Sequence, residues 1–177
     1  MKKRGGGRDA LVKSALIEFE KYGYDGTNTN AIAKNAGYAP QTFYRHFSDK
    51  REIFLAVYRE WAESELRDLL NTDSAELMAS VLIRHHKSHA VFRRSLRYLS
   101  VHDDEVRKQR AQTRLSQMRL LEGRTHEREP ARLLSVVLTL ERLCDAIADK
   151  EYIACGITEK KARAEIVLLI EQNLRED

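Results

Sequence analysis

Residues that break helices are scarce in this chain, and this scarcity limits its fold more than any other feature. Its 177 residues include 2 prolines and 8 glycines, and three of the glycines are adjacent at 5–7. Between the breakers, apolar residues recur at the spacing of one helix face, as in Val12, Ala15, Leu16 and Phe19. No stretch has the alternation of a half-buried strand. The sequence therefore predicts an all-α protein of about nine helices, rather than a sandwich, a barrel or a glycine-rich nucleotide fold.

Hydrophobic residues make up 42% of the chain and charged residues 33%, so the chain can bury a real core. The longest apolar stretch, Leu133–Leu140, is interrupted by Ser135 and Thr139 and is too short to span a bilayer. The basic start is not followed by the apolar segment of a secretion signal. Cys144 and Cys155 have neither metal-binding nor redox spacing, which is typical of free thiols in a reducing compartment. We expect a cytoplasmic protein with no membrane partner.

The positive charge of the chain is concentrated at its amino-terminal end. The net charge is +4 and the pI about 9.1. Residues 1–50 contain nine Lys or Arg and five Asp or Glu, whereas residues 51–177 contain 22 of each. This distribution indicates that the first fifty residues meet a polyanionic partner.

Three short helices are predicted within residues 9–50. We expect them at Asp9 to about Tyr22, at Thr27 or Asn28 to Gly37, and at Pro40 to about His46. Phe43 and Phe47 give the third helix an apolar side. Two short helices joined by a tight turn at 37–39 predict a helix-turn-helix, whose second helix enters the major groove of DNA.

The other side of the third helix carries polar groups able to reach DNA: Gln41, Thr42, Tyr44, Arg45 and His46. Glutamine and arginine can each make paired hydrogen bonds, to adenine and guanine edges respectively. Three further residues at predicted helix starts, Thr27, Asn28 and Lys50, can bind phosphates through side chains and backbone amides.

This segment resembles the amino-terminal domain of the TetR family of transcriptional regulators over about residues 9–58. The family pattern is found in order and without gaps: Phe19-Glu-Lys-Tyr-Gly23-Tyr24, Thr27, Ile32-Ala33-Lys-Asn-Ala36-Gly37, Thr42-Phe43-Tyr44-Arg-His-Phe47 and Lys50. Two positions depart from the pattern. Ala39 replaces the serine often found at the cap of the third helix, and Glu18 occupies a usually apolar position.

The resemblance implies a homodimer that binds a double-stranded, palindromic DNA operator, most often as a repressor, and that responds to a small-molecule effector bound in a larger domain. It also implies individual roles. Tyr44 and Lys50 would contact phosphates, supported by Thr27, Asn28 and Thr42. Base or groove contacts would come from Asn30, Pro40, Gln41 and Arg45.

We expect three parts in the chain: residues 1–8, a flexible basic arm; residues 9–50, the helix-turn-helix domain; and residues 51–177, a ligand-binding and dimerisation domain. A long helix at 48–70 would connect the last two. The arm either follows the DNA backbone or minor groove, or is a disordered tail, and the sequence leaves both interpretations open.

The larger domain ends in two apolar helices, one from Ala131 to about Ala154 and one beginning at Thr158. The first has two apolar stripes, so it is either a central core helix or part of a dimer interface. Interface candidates are Val136, Leu143, Ile147, Ile166 and Ile170. Pocket candidates, which are alternatively ordinary core residues, are Tyr98, Leu99, Leu115, Met118, Arg119, Leu140 and Cys144.

Two other functions compete with DNA binding as interpretations of the sequence. The dipeptide His102-Asp103, with His85 or His86 and Asp145, is similar to the metal ligands of HD-type phosphohydrolases, which are also helical. That similarity rests on one dipeptide. A helical adaptor with a purely structural helix-turn-helix is the other alternative, and the uneven charge argues against it. We expect no catalytic residue, no metal site and no cofactor.

Overall fold

A computed structural model describes residues 6–173, and within this range every regular element is a helix. The prediction of an all-α protein is therefore confirmed. The described residues form ten helices: α1 Gly6–Tyr22, α2 Thr29–Asn35, α3 Pro40–Tyr44, α4 Lys50–Leu70, α5 Ala75–Ser88, α6 Ala90–His102, α7 Asp104–Glu122, α8 Pro130–Ala148, α9 Glu151–Ala154 and α10 Glu159–Glu171.

The chain divides into two compact units. The first contains the described residues up to Ala62 together with Val91–Arg107. Its core is aromatic, because Phe19, Phe54 and Phe92 are fully buried and their rings meet. The ring centroids of Phe19 and Phe54 are 5.2 Å apart, and those of Phe54 and Phe92 are 4.9 Å apart. Helix α6 thus shares a core with α1 and α4, and this unit extends well beyond the segment 9–50 predicted to read DNA.

The second unit contains residues 63–90 and the rest of the described chain from Lys108 onward. Its core lies among α5, α8 and α10, where Ala79, Cys144, Ala162 and Ile166 are fully buried. Small residues on α5 and α10 let these helices approach closely, while Ile166 fills the space between them. These three helices therefore enclose one apolar interior, with α7 contributing Leu120 at its margin.

Helix α1 begins at Gly6, three residues before the predicted start at Asp9. Arg8 lies 3.8 Å from a carboxylate oxygen of Glu60, and its guanidinium stands 5.2 Å from the ring centroid of Phe47. The predicted arm at 1–8 is therefore too long, because residues 6–8 belong to a packed helix. The rest of the predicted arm, residues 1–5, lies outside the described residues.

The predicted single helix from Ala131 to about Ala154 is wrong. Helix α8 ends at Ala148, and Lys150 follows with φ 60°, in the left-handed region that side chains other than glycine rarely adopt. Four residues then form the separate helix α9. The backbone N–H of Asp149 bonds back to the carbonyls of Asp145 and Ile147, which closes the helix before the polar residues 149–151.

Candidate nucleic-acid interface and ligand cavity

Helices α2 and α3 are joined by a tight turn. Gly37 has φ +76°, a backbone conformation that only glycine adopts at no steric cost. The backbone N–H of Tyr38 then bonds to the carbonyl of Ala33 at 2.9 Å and closes the turn. Ala39 caps α3 without a side-chain hydrogen bond, and Pro40 takes the first helical position. The proline fixes the local backbone, which compensates for the missing serine cap.

Helix α3 is short, and its two sides differ sharply. Phe43 is fully buried, whereas Gln41, Tyr44 and Arg45 are exposed. Pro40 is exposed as well, and Thr42 and His46 are half-buried. The buried side chain of Phe43 thus fixes the helix so that its polar face remains exposed to a partner. This face contains most of the residues predicted to contact bases.

The start of α2 adds polar groups beside that face. The side-chain oxygen of Asn28 accepts the backbone N–H of Ala31 at 3.0 Å and so caps α2. The hydroxyls of Thr29 and Tyr44 lie 3.1 Å apart, where Tyr44 is exposed and Thr29 half-buried. Asn28 and Asn30 are exposed too. Thr29 was absent from the predicted contacts, because its proximity to Tyr44 depends on how α2 packs against α3.

Thr27 lies inside the unit. Its side chain is 5% exposed, and its hydroxyl donates to a carboxylate oxygen of Glu18 at 2.9 Å. The predicted phosphate contact through this hydroxyl is therefore at odds with its position, because the hydroxyl is buried and already bonded. The same contact explains the unusual Glu18: the carboxylate takes the place of an apolar side chain by accepting a hydrogen bond.

Lys50 is the most constrained of the predicted contacts. Its ammonium group donates to the carbonyl oxygens of Tyr24 at 2.7 Å and Thr27 at 3.0 Å. It also lies 4.2 Å from the ring centroid of Tyr24. Burial raises the pKa of the Tyr24 phenol, with a smaller contribution from the carboxylates of Asp49 and Asp103. Lys50 thus fastens the turn before α2 to the start of α4.

Two serines complete the support of this region, and the sequence pattern did not reveal either. The hydroxyl of Ser14 on α1 donates to the carbonyl of Ile32 on α2 at 2.7 Å. The hydroxyl of Ser95 on α6 accepts the backbone N–H of Tyr24 at 3.0 Å. These contacts join residues 18 and 71 positions apart, so local periodicity carries no sign of them.

The second unit holds a cleft with a volume of about 70 Å³. Its walls are mostly hydrocarbon, supplied by residues that include Leu69, Met78, Leu120, Val137 and Ile170. Its polar lining includes Glu65, His86, Gln117, Arg124 and Glu141. An apolar pocket with a few convergent polar groups is the usual form of a small-molecule site.

A chain of polar contacts lies at this cleft. The side-chain amide nitrogen of Gln117 donates to Glu65 at 3.2 Å. The other oxygen of Glu65 lies 3.6 Å from Nε2 of His86, and Nδ1 of His86 lies 2.9 Å from Asp145. Glu65, His86 and Asp145 are all at most 2% exposed. These groups are therefore held in fixed positions behind the apolar walls.

Of the seven residues predicted for a pocket, Leu140 lines this cleft. Tyr98 is 56% exposed, and Leu99 belongs to the core of the first unit. Cys144 is fully buried in the core of the second unit. The other three lie on α7, where Leu115 and Arg119 are exposed and Met118 is half-buried. The prediction missed Glu65, Met78 and Gln117, since three different helices bring them together.

The residues predicted for a dimer interface are also divided. Ile147, Ile166 and Ile170 are at most 5% exposed within the chain, because they fill the core of the second unit. Val136 lines the cleft. Leu143 borders a shallow groove on the surface of α8, α9 and α10, together with Tyr152, Leu168 and Leu169.

The histidines considered for a metal site contact separate groups in the structure. His85 and Arg84 both contact Asp68, at 2.9 and 3.0 Å. The hydrogen bond from His85 is the main cause of the lowered pKa of Asp68; Arg84 lowers it further, and burial opposes both. His102 bonds to the carbonyl of Tyr98 within its own helix. Residues 6–173 contain no group of three or more His, Cys, Asp or Glu side chains placed to hold a metal ion.

No helix in the described part of the chain combines the length and the apolar character needed to cross a bilayer. The geometry of α2 and α3, with an anchored helix and an exposed polar face, defines a helix-turn-helix protein of the DNA-binding class. Residues 11–57 match the model of the bacterial regulatory proteins of the tetR family. Over these residues the chain is similar to the DNA-binding domain of the TetR family of transcriptional regulators.

Individual relatives are similar over parts of the chain. The transcriptional regulator TcmR of Streptomyces glaucescens is 42% identical over 48 residues, which cover 27% of this chain and 21% of TcmR. The transcriptional repressor AcnR of Corynebacterium diphtheriae is 28% identical over 75 residues, 42% of this chain and 40% of AcnR. These matches therefore span less than half of each relative's length.

The fold is similar over nearly the whole chain. The crystal structure of a protein from Rhodococcus sp., described as a TetR-family regulator, superposes with a TM-score of 0.74. The two chains are 17% identical, and the match covers 96% of this chain and 99% of the other. At this identity the likeness concerns the fold alone.

Proposed function

We propose that this protein is a transcriptional repressor that binds a palindromic DNA operator as a homodimer and responds to a small-molecule effector. One observation carries the DNA-binding role: α3 is anchored by the buried Phe43 and exposes Gln41, Tyr44 and Arg45 on one face. Those side chains can hydrogen-bond to base edges and phosphates. The excess of basic residues in the first fifty positions supports the same role.

The homodimer is supported by the surface of α8 and α10. Leu138 and Leu168 are 39% and 46% exposed, and Leu143 and Leu169 border a shallow groove beside Leu168. Exposed leucines on two neighbouring helices are an apolar surface that association would bury. A two-fold dimer would place two copies of α3 on one palindromic site.

The response to an effector is supported by the cleft of the second unit and by helix α4. This single helix begins at Lys50 in the first unit and contains Leu69, which lines the cleft. We infer that α4 transmits the presence of an effector to the DNA-binding helices. An effector achieves this when it binds one arrangement of the dimer more tightly than another. The protein would act in the cytoplasm, where DNA is accessible.

Selection of genomic DNA fragments by the purified full-length chain tests this function. We expect enrichment of an inverted repeat whose half-sites are spaced by about one helical turn, ~34–36 Å, or a multiple of it. Binding of the enriched fragment would then be compared with a shuffled fragment at the same ionic strength. Equal affinity for the two fragments would contradict sequence-specific regulation.

A further inference from the structure

We propose that the cleft in the second unit binds a small, mostly apolar molecule whose polar group donates hydrogen bonds, such as an alcohol or an ammonium compound, in preference to a carboxylate. This inference rests on the proposed ligand response. It names the chemical class of the effector from the side chains that surround the cleft.

The walls of the cleft determine the apolar part of the ligand. Leu69, Met78, Leu120, Val137 and Ile170 come from five different helices and present hydrocarbon to the same space. Burying an apolar group against them removes that group from water, which supplies most of the binding free energy. A volume of about 70 Å³ is some five times what one water molecule requires, so it accepts a group of about five non-hydrogen atoms.

Gln117 determines the polar part. Its amide nitrogen donates to Glu65, and this contact fixes the orientation of the amide, because the reverse orientation would place two acceptor oxygens together. The amide oxygen is then left as an acceptor. It is buried and has no hydrogen-bond partner among the described residues. A buried acceptor without a partner is costly, and a donor group that enters the cleft would give this oxygen the partner that it lacks.

Glu65 adds a second acceptor at the same end. Its carboxylate is held in place by Gln117 on one oxygen and faces His86 on the other, and Asp145 orients the imidazole of His86 from behind. A carboxylate oxygen accepts more than one hydrogen bond, so a ligand donor can bond to Glu65 alongside the contacts that it already makes. The polar end of the cleft thus offers acceptors in fixed positions.

A ligand carboxylate fits this end poorly. It would enter beside the buried carboxylate of Glu65, and like charges repel strongly in a water-poor site. The charge of Glu141, by contrast, is balanced by ion pairs with Arg110 and Arg114. Arg124, the arginine that lines the cleft, directs its guanidinium at the carbonyls of Leu69 and Leu70 and at the hydroxyl of Thr72. The guanidinium therefore caps the carboxyl-terminal end of α4 and is already engaged there, so it is a poor anion-binding group for the cleft.

The methyl group of Met78 allows a direct test. The full-length protein would be labelled with ¹³C-methyl methionine and titrated with butan-1-ol, butylammonium and butyrate at constant pH and ionic strength. We expect saturable shifts of the Met78 signal with the alcohol and the ammonium compound, and apparent affinity for butyrate roughly tenfold weaker. Met118, which does not line the cleft, serves as the internal control. Butyrate binding as tightly as butan-1-ol, or a Met78 signal that responds to none of the probes, would overturn the proposal.

Two variants on α7 refine the test. Gln117→Leu should lose about tenfold in affinity for butan-1-ol, whereas Gln112→Leu, at an exposed position of the same helix, should bind like the parent protein. Equal affinity in both variants would remove Gln117 from the site. Operator binding would be measured separately in each protein. If the protein binds its operator but the Met78 signal does not shift with any of the three probes, this inference alone is disproved. If the protein shows no sequence-specific DNA binding, the proposed function is disproved.

Discussion

The ammonium group of Lys50 lies 2.7 Å from the carbonyl oxygen of Tyr24 and 4.2 Å from the centroid of its ring. The same ammonium group donates a second hydrogen bond to the carbonyl of Thr27, so this lysine connects the turn at 24–27 to helix α4. The family resemblance assigns Lys50 to phosphate binding. Its position adds a structural role, since the turn that it holds leads directly into α2.

Replacement of Lys50 should therefore affect stability as well as DNA binding. We expect Lys50→Met to lower the free energy of unfolding of the first unit by about 1–2 kcal/mol, because two charged hydrogen bonds are lost. The variant should also weaken binding to all DNA sequences and reduce the salt dependence of binding. The fluorescence of Trp61, the single tryptophan and buried in that unit, reports unfolding in urea. Lys13→Met, at an exposed position of α1, is the control, and equal midpoints for both variants would refute the structural role.

Gln41 and Arg45 should govern sequence preference. Both side chains are exposed on α3, so Gln41→Ala and Arg45→Ala should leave the urea midpoint unchanged. Each should relax discrimination at one operator position by about 1–3 kcal/mol, as the loss of a paired base contact does. Competition binding against operators altered one base pair at a time measures this. A uniform loss over all operators would instead assign the residue to the DNA backbone.

The contact between Glu18 and Thr27 can be measured by a double-mutant cycle. Thr27→Val should cost about 1 kcal/mol, because a part-buried carboxylate loses its donor. Glu18→Leu restores the apolar residue typical of the family, so Thr27→Val should cost less in that background. The coupling energy is obtained from urea unfolding of the four proteins. Additive effects would show that the hydrogen bond contributes nothing to stability.

Asp103 should give the first unit an acid-sensitive contact. Burial alone would raise the pKa of its carboxyl group, but the backbone N–H groups of Val106 and Glu105 and the guanidinium of Arg51 lower it below the ordinary 3.8. A lowered pKa in the folded state stabilises the fold above the ordinary value, and this contribution is lost as the pH falls through the lowered pKa.

The variant Asp103→Asn tests that contribution. At neutral pH it should melt at a lower temperature than the parent protein, and the difference should shrink as the pH falls below about 4. Thermal unfolding followed by Trp61 fluorescence over a series of pH values measures both quantities. Asp104→Asn, at the next position, provides the control. A difference in melting temperature that stays constant down to about pH 2 would contradict the role of ionised Asp103.

Dimerisation should depend on the exposed leucines of α8 and α10. We expect Leu168→Glu to produce a monomer in light scattering at micromolar concentration, because association would bury the new charge. Leu77→Glu is the matched control, since Leu77 is a similarly exposed leucine, on α5. If both variants stay dimeric, the interface lies elsewhere on the second unit. A monomeric parent protein would refute the homodimer itself.

Local sequence spacing was sufficient to predict the fold class and to identify α3 as the helix that would enter the major groove. The side chain of Phe43 is buried and those of Gln41 and Arg45 are exposed because positions two residues apart on a short helix face different ways. The turn at Gly37 was equally predictable, since its left-handed backbone requires glycine. These features depend on residues only a few positions apart, and the spacing of residue types along the sequence shows them directly.

Only the tertiary structure determined which predicted contacts were already engaged inside the protein. Thr27 bonds to Glu18, and Lys50 reaches back 26 positions to Tyr24, because packing of α1, α2 and α4 brings them together. The cleft depends on distant partners in the same way. Gln117 meets Glu65 across 52 positions, and His86 meets Asp145 across 59. Helical periodicity specifies which face of a helix is apolar, but it does not specify which other helix that face will meet, since this depends on packing among all of them.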